Sequence, residues 1–149
     1  MAKDLNVFDK EYGLLINGAW TSPGTLLDSY NPANGEALAK FTDASDADVD
    51  AAVAAAQEAF KTWRKTTTTE RAAILNKIAD VIDENLELFA LQETLDNGKP
   101  IRETRAADIP LASDHFRYFA SVIRGEEGTA TQLDSEDLSI VLREPIGVV

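Results

Sequence analysis

Glu93–Ala120 reads ETLDNGKPIRETRAADIPLASDHFRYFA, two helical patterns joined through one sharp break. Ahead of the break, Phe89, Leu91 and Leu95 continue an apolar helical stripe. Gly98 can take the left-handed conformation that closes a helix, and Pro100, two residues on, cannot continue one. Asn97-Gly98-Lys99-Pro100 therefore predicts a C-terminal cap. Lys99 is not read as part of a phosphate loop, because no glycine-rich run precedes it and no strand leads in. Beyond Pro100 helix resumes through Ile101–Ala107. Pro110 disfavours helical geometry at Ile109, which predicts a kink or restart there. Leu111, Phe116, Phe119, Val122 and Ile123 then form a last apolar face that ends near Gly125.

Upstream, Ser45 with Asp48 three residues later has capping-box spacing, and Asp46, Asp48 and Asp50 suit the positive end of a helix dipole. Val49, Val53, Ala56, Phe60 and Trp63 give that helix one apolar face. The run Thr66–Thr69 ends in a cap for a second helix, Glu70 to about Asp83, with Ile74, Leu75, Ile78, Val81 and Ile82 expected inward. Asn85 is expected to cap a third helix reaching Asn97. Short loops between these helices favour antiparallel neighbours.

The flanks have a period of two. Leu14–Ile16 and Ala19–Thr21 around Asn17-Gly18 predict a hairpin with a type I′ turn, because both turn residues must accept positive φ. Residues 1–12 read as a polar arm, and Ser22-Pro23-Gly24 as a turn. Leu26–Tyr30 and Ala37–Phe41 flank a loop, Asn31–Gly35, as a second pair of strands. Trp20 reads as a buried anchor under a small sheet rather than a ligand platform. Gly128–Leu133 and Leu138–Arg143 form a ribbon around Asp134–Asp137, and Pro145–Val149 reads as the opening of a further strand.

Composition bounds function. The 149 residues suffice for one domain with a core. A formal net charge of −12, from 26 acidic against 14 basic side chains, repels phosphate backbones and anionic lipid. Neither a nucleic-acid nor a membrane partner is expected. There is no transmembrane-length apolar run and no signal-like opening, so a cytoplasmic location is expected. The cysteine count is zero, which removes disulfides, thiolate metal sites and a cysteine nucleophile from these residues. His115 is the one histidine, too few for a zinc cluster and without a basis for a serine triad, and it reads as structural. The aspartates at 43, 46, 48 and 50 lack the central glycine and terminal glutamate of a calcium loop. Glu126-Glu127 has no defined pocket, and no Gly-x-Gly-x-x-Gly fingerprint is present. Arg102, Arg105, Arg117 and Arg124, interleaved with Glu103, Asp108 and Asp114, read as a salt-bridged solvent face. The residues alone describe an acidic module with no active site of its own.

Four segments, in order, resemble the NAD(P)-dependent aldehyde dehydrogenase superfamily, and within it the bacterial acetaldehyde-type enzymes. They are Ile16–Trp20, Asn31–Glu36, Glu93–Pro100 and Arg143–Val149, and together they span nearly the whole chain. The resemblance implies an α/β fold, truncated. Residues 1–149 would be a single incomplete N-terminal portion of the cofactor domain, with N-terminal β-hairpins, a helical segment, an oligomerisation ribbon over 128–144 and the start of a Rossmann-type sheet at Ile146–Val149. It implies oxidation of an acetaldehyde-like aldehyde to the acid with NAD or NADP, through a cysteine thiohemiacetal and thioester. The family's Pro-Trp-Asn segment, cofactor lysine, glycine-rich turn, general-base glutamate and nucleophilic cysteine are absent here. No catalytic or cofactor-binding residue is therefore assigned, and the chain alone is expected to be inactive and unable to bind the cofactor. Asp96 matches a carboxylate at a structural monovalent-cation site that also uses main-chain oxygens at Ser29 and Tyr30; the alternative is a cap or salt bridge near Gly98. Leu111 matches a position lining the substrate tunnel, and an ordinary core leucine is the alternative. The ribbon implies self-association, and a non-catalytic interaction module pairing through it is the competing function.

Overall fold

The computed structural model describes residues 8, 11–22 and 24–149. Short strands come first: β1 (Glu11–Tyr12), β2 (Leu15–Ile16), β3 (Ala19–Trp20), β4 (Leu26–Tyr30) and β5 (Ala37–Thr42). Three long helices follow: α1 (Asp46–Trp63), α2 (Thr68–Glu84) and α3 (Leu86–Asn97). Then come a short α4 (Ile101–Glu103), a π-helical turn (Thr104–Asp108), α5 (Ile109–Val122), and the strands β6 (Thr129–Gln132) and β7 (Leu138–Val141). Sheet order is β1-β5-β4, with β2–β3 and β6–β7 as separate two-stranded ribbons. Among the described residues no helix is long and apolar enough to cross a membrane.

Local chemistry sets most boundaries. Asn17 and Gly18 have φ of 51° and 75°, the pair a type I′ turn demands, and Leu15 pairs with Trp20 across it. Ser45 and Asp48 close a full capping box at the start of α1, and Thr67 and Glu70 close another on α2. The cap of α2 is thus the second threonine of its run rather than the last, because Thr67 is the one with a glutamate three residues on. Asn85 corrects a further expectation. It makes no side-chain cap for α3, and its amide instead donates to the Val81 carbonyl at the end of α2. Gly98, at φ 83°, ends α3 as expected. Glu11–Tyr12, expected within a polar arm, pairs in parallel with Lys40–Phe41; residues 1–7, 9 and 10 of that arm and Pro23 of the expected turn lie outside the described residues.

Pro110 produces the restart in an unusual way. Its ring cannot donate and would strike the carbonyl four residues back in a regular helix. The chain widens by one residue over Thr104–Asp108, where the Ile109 amide donates to the Thr104 carbonyl, and proceeds as α5. Thr104 is fully buried. Its hydroxyl lies 3.0 Å from the Ala90 carbonyl and 2.9 Å from the Thr94 hydroxyl, which ties the wide turn to α3.

The core lies along α2 and α5. Ala72, Leu75, Ala79 and Ile82 face inward at intervals of three and four. Ile109, Ser113, Phe116, Ala120 and Ile123 do the same on α5. The most buried of these are small: Ala79 is 0% and Ala120 2% exposed, so the two backbones approach closely. The bulky stripe expected inward is only partly so. Ile74, Ile78 and Val81 on α2 are exposed, as are Leu111, Phe119 and Val122 on α5. The seam is two alanines wide, and these side chains lie to either side of it. On α1 no residue is buried at all; Val49, Val53 and Trp63 stand open. Trp20, expected as a buried anchor, is 66% exposed, because a two-rung hairpin has no second layer to cover it. Residues 142–149, including the run Pro145–Val149, pair with no strand here.

Of the four arginines, Arg102, Arg105 and Arg117 are ion-paired, with partly different carboxylates from those expected. Arg102 meets Glu103, and Arg105 meets Glu87. Arg117 bridges Asp80 and Asp83 at 3.0 and 2.6 Å, fastening α5 antiparallel to α2. Hydrogen bonds from Ser113 and then Arg117 hold Asp83 below the usual carboxylate range. The caps do the same for Asp48, through Ser45, and for Glu70, through Thr67. A lowered folded-state pKa contributes stability that is present above the unfolded value, near 4, and lost as pH falls through the folded value. The unfolding midpoint should therefore stay level from about pH 7 to 5 and drop below about pH 4. In the Arg117→Gln chain part of that acid-dependent drop should vanish, which thermal melts across pH would show.

Candidate functional site

The loop Asn31–Gly35 and the end of α3 bring polar groups of the sheet and the helices together. Asn31 is nearly buried and folds the loop on itself. Its side-chain oxygen accepts from the Ala33 amide, its carbonyl accepts from Gly35, and its amide donates to Glu36. The loop then lies against the cap of α3 so closely that a Cβ on Gly98 would sit 2.9 Å from the Pro32 ring. Glycine at 98 is thus required twice, by its positive φ and by this approach.

That packing brings Asp96 to β4. The Ser29 hydroxyl donates to the Asp96 carboxylate at 2.9 Å, across 67 residues of sequence. Tyr30 lies beside it with its hydroxyl toward Asp28, which also pairs with Lys40 at 3.7 Å. The β4–β5 ladder shifts register between Ser29 and Tyr30, so regular pairing fails at the two residues whose main-chain oxygens the cation reading requires. The structure itself shows one carboxylate, Asp96, accepting from one hydroxyl, Ser29. Among the described residues no group of three or more histidine, aspartate or glutamate side chains is gathered to hold a metal.

Ser29 and Asp96 line the wall of an open groove of about 770 Å³ between the β1-β5-β4 sheet and the helices. Its floor is apolar, with Tyr12, Phe41, Ile82 and Phe89 among the lining. Leu111 is placed elsewhere: it is 52% exposed on α5, and the groove takes its neighbours Ile109 and Ala112 instead. The structure therefore joins Ser29 to Asp96, with Tyr30 next in the strand and its hydroxyl turned to Asp28, and leaves Leu111 apart from them. His115 is exposed on α5.

Two further groups near this site escaped the sequence reading. Lys99 reaches Asp108 at 2.6 Å, and that contact first of all raises the lysine pKa. The ion pair staples the α3 cap to the π turn. Thr104 is the other, and its burial depends on the turn that Pro110 imposes, so Pro110 was the available signal.

Comparison with known proteins places these features. Residues 20–149 match the aldehyde dehydrogenase family. Acetaldehyde dehydrogenase 2 of Cupriavidus necator is 47% identical over 146 residues, 97% of this chain and 29% of that protein. An aldehyde dehydrogenase of Rhodospirillum rubrum is 46% identical over 95% of this chain and 28% of its own length. Among solved structures, the NAD-dependent aldehyde dehydrogenase of Sinorhizobium meliloti superposes with a TM-score of 0.86 at 33% identity, over 97% of this chain and 30% of that one. The NAD+ complex of aldehyde dehydrogenase from Bacillus cereus gives 0.82 at 37% identity, over 87% and 27%. The chain spans under a third of the length of these relatives.

Proposed function

The chain belongs to the aldehyde dehydrogenase family, and from that premise we propose that it supplies the N-terminal portion of an enzyme that oxidises a short aldehyde, acetaldehyde or a close relative, to the acid with NAD or NADP. The observation that carries this reading is 47% identity, sustained over 97% of the chain, to an acetaldehyde dehydrogenase. In the proposed reaction a cysteine thiolate attacks the aldehyde to give a thiohemiacetal, and hydride leaves to the nicotinamide. Water then hydrolyses the thioester. The chain contains no cysteine, so the nucleophile is assigned outside these residues. No Gly-x-Gly-x-x-Gly turn is present to cradle a dinucleotide, and no step of the chemistry is routed through groups of this chain. Its proposed part is structural: Asp96 with Ser29 and Tyr30 holds a monovalent cation that pins α3 to β4, α5 brings Leu111 to the wall of the substrate tunnel, and residues 128–144 mediate self-association.

Joining this chain to the remaining portion of the Cupriavidus necator enzyme tests the proposal. The fusion should form NADH on addition of acetaldehyde and NAD+, while the 149-residue chain alone should form none. Turnover by the chain alone would overturn the placement of the chemistry, and a folded but inert fusion would overturn the functional assignment. The second reading, a non-catalytic interaction module, is favoured by one observation: every residue of β6 and β7 is exposed.

A further inference from the structure

Thr104 and the buried row of α5 do not lie on one regular helix. In a regular helix the same side returns every three or four residues. From Thr104, buried against α3, that series runs through Asp108, Leu111, His115, Tyr118 and Val122. The row that faces inward skips all five: it is Ile109, Ser113, Phe116, Ala120 and Ile123. The offset arises in one place. The Ile109 amide donates to the Thr104 carbonyl, five positions back rather than the four of an α-helix. One extra residue turns everything downstream by about 100°. Without it a carboxylate and an imidazole would be driven toward the alanines of α2, and Leu111 with them. The width of this turn is thus what keeps Leu111 off the seam. Wide turns of this kind recur at sites that helices serve.

We infer that Thr104 is a positioning residue for the aldehyde, acting through Leu111. This rests on the tunnel-wall placement of Leu111 proposed above and adds what holds the residue there. Leu111 lies in the first turn of α5, two residues beyond Ile109. Pro110 in that turn has no N–H to give, and the wide turn comes directly before it. From Ser113 onward the helix is gripped by α2, through the seam and through Arg117 on Asp80 and Asp83. Ahead of Leu111 the buried grip is Thr104, whose hydroxyl sits 3.0 Å from the Ala90 carbonyl and 2.9 Å from the Thr94 hydroxyl on α3. The exposed pairs Lys99–Asp108 and Arg105–Glu87 add little to it. A shift at Thr104 therefore reaches Leu111 before the seam can absorb it.

In the fusion enzyme described above, Thr104→Val should raise the KM for acetaldehyde about fivefold and leave kcat and the KM for NAD+ unchanged. Thr104→Ser, which keeps the hydroxyl, should restore the parent KM. Leu111→Ala should raise the same KM, and adding Thr104→Val should raise it no further, because both changes act on one contact. A general loosening of the fold would instead lower kcat and add fully to Leu111→Ala; that result overturns the inference and spares the proposed activity. Hydrogen exchange in the 149-residue chain reads the coupling without turnover. Thr104→Val should speed exchange at Leu111 and Ala112 about tenfold and leave Phe116–Ala120 as in the parent. Unchanged protection at Leu111 overturns the coupling whatever the kinetics. A parent fusion that is inert overturns the proposed activity, and the role toward the aldehyde falls with it.

Discussion

Ala79→Leu should cost about 3 kcal/mol of folding stability, at the upper end of what overpacking a close-packed core costs. Ala79 is 0% exposed, and the helices it separates are held in register by Arg117 on Asp80 and Asp83. A leucine there adds three carbons where no surface is open to take them. The helices must move apart, which stretches both ion pairs and opens Ala72 and Ala120 to water. Six residues earlier, Ala73 lies on the exposed side of the same helix. Ala73→Leu should change stability by less than about 0.5 kcal/mol, as surface changes do. Urea unfolding of the two variants side by side decides the matter: equal, small effects would mean that α2 and α5 do not approach as closely as described.

Thr104→Val should cost about 2 kcal/mol although it keeps the shape of the side chain. The valine leaves the Thr94 hydroxyl without its buried partner and removes the hydroxyl that lies beside the Ala90 carbonyl. It also loosens the π turn from α3, leaving the exposed Lys99–Asp108 and Arg105–Glu87 pairs, each worth little alone, to tie them. Thr104→Ser retains the hydroxyl and should recover at least half of the loss. A valine variant as stable as the parent in denaturant titration would show that the wide turn is set by Pro110 alone.

How much of this was legible in the sequence depends on the range of the interaction. Asn17-Gly18, Ser45 with Asp48, Gly98 before Pro100 and the ribbon around Asp134–Asp137 are local devices, and each produces the element its residues demand. The choice among Thr66–Thr69 was also local, since only Thr67 has Glu70 at capping distance; the spacing was there to be read. Orientation was less legible. Periodicity marks an apolar side of α2 and α5 but does not say that two alanines and a serine form the seam while Ile78 and Phe119 stand beside it. Trp20 and Thr104 fail for a related reason: nothing near Trp20 in sequence tells that no layer covers it, and Thr104 is buried by residues ten and fourteen positions away. Of the candidate site, Asp96, Ser29 and Tyr30 came from resemblance, and the hydroxyl-to-carboxylate bond that joins Ser29 to Asp96 is a tertiary fact.

One feature of α1 bears on how the molecule acquires its structure. Eighteen residues rich in alanine, opened by a capping box and with no fully buried residue, form a helix that leans more on its own propensity and cap than α2 or α5 does. Such a segment can coil and uncoil without waiting for the α2–α5 seam, and the seam can assemble without waiting for it. Amide hydrogen exchange should therefore be faster along α1 than along the α2–α5 seam.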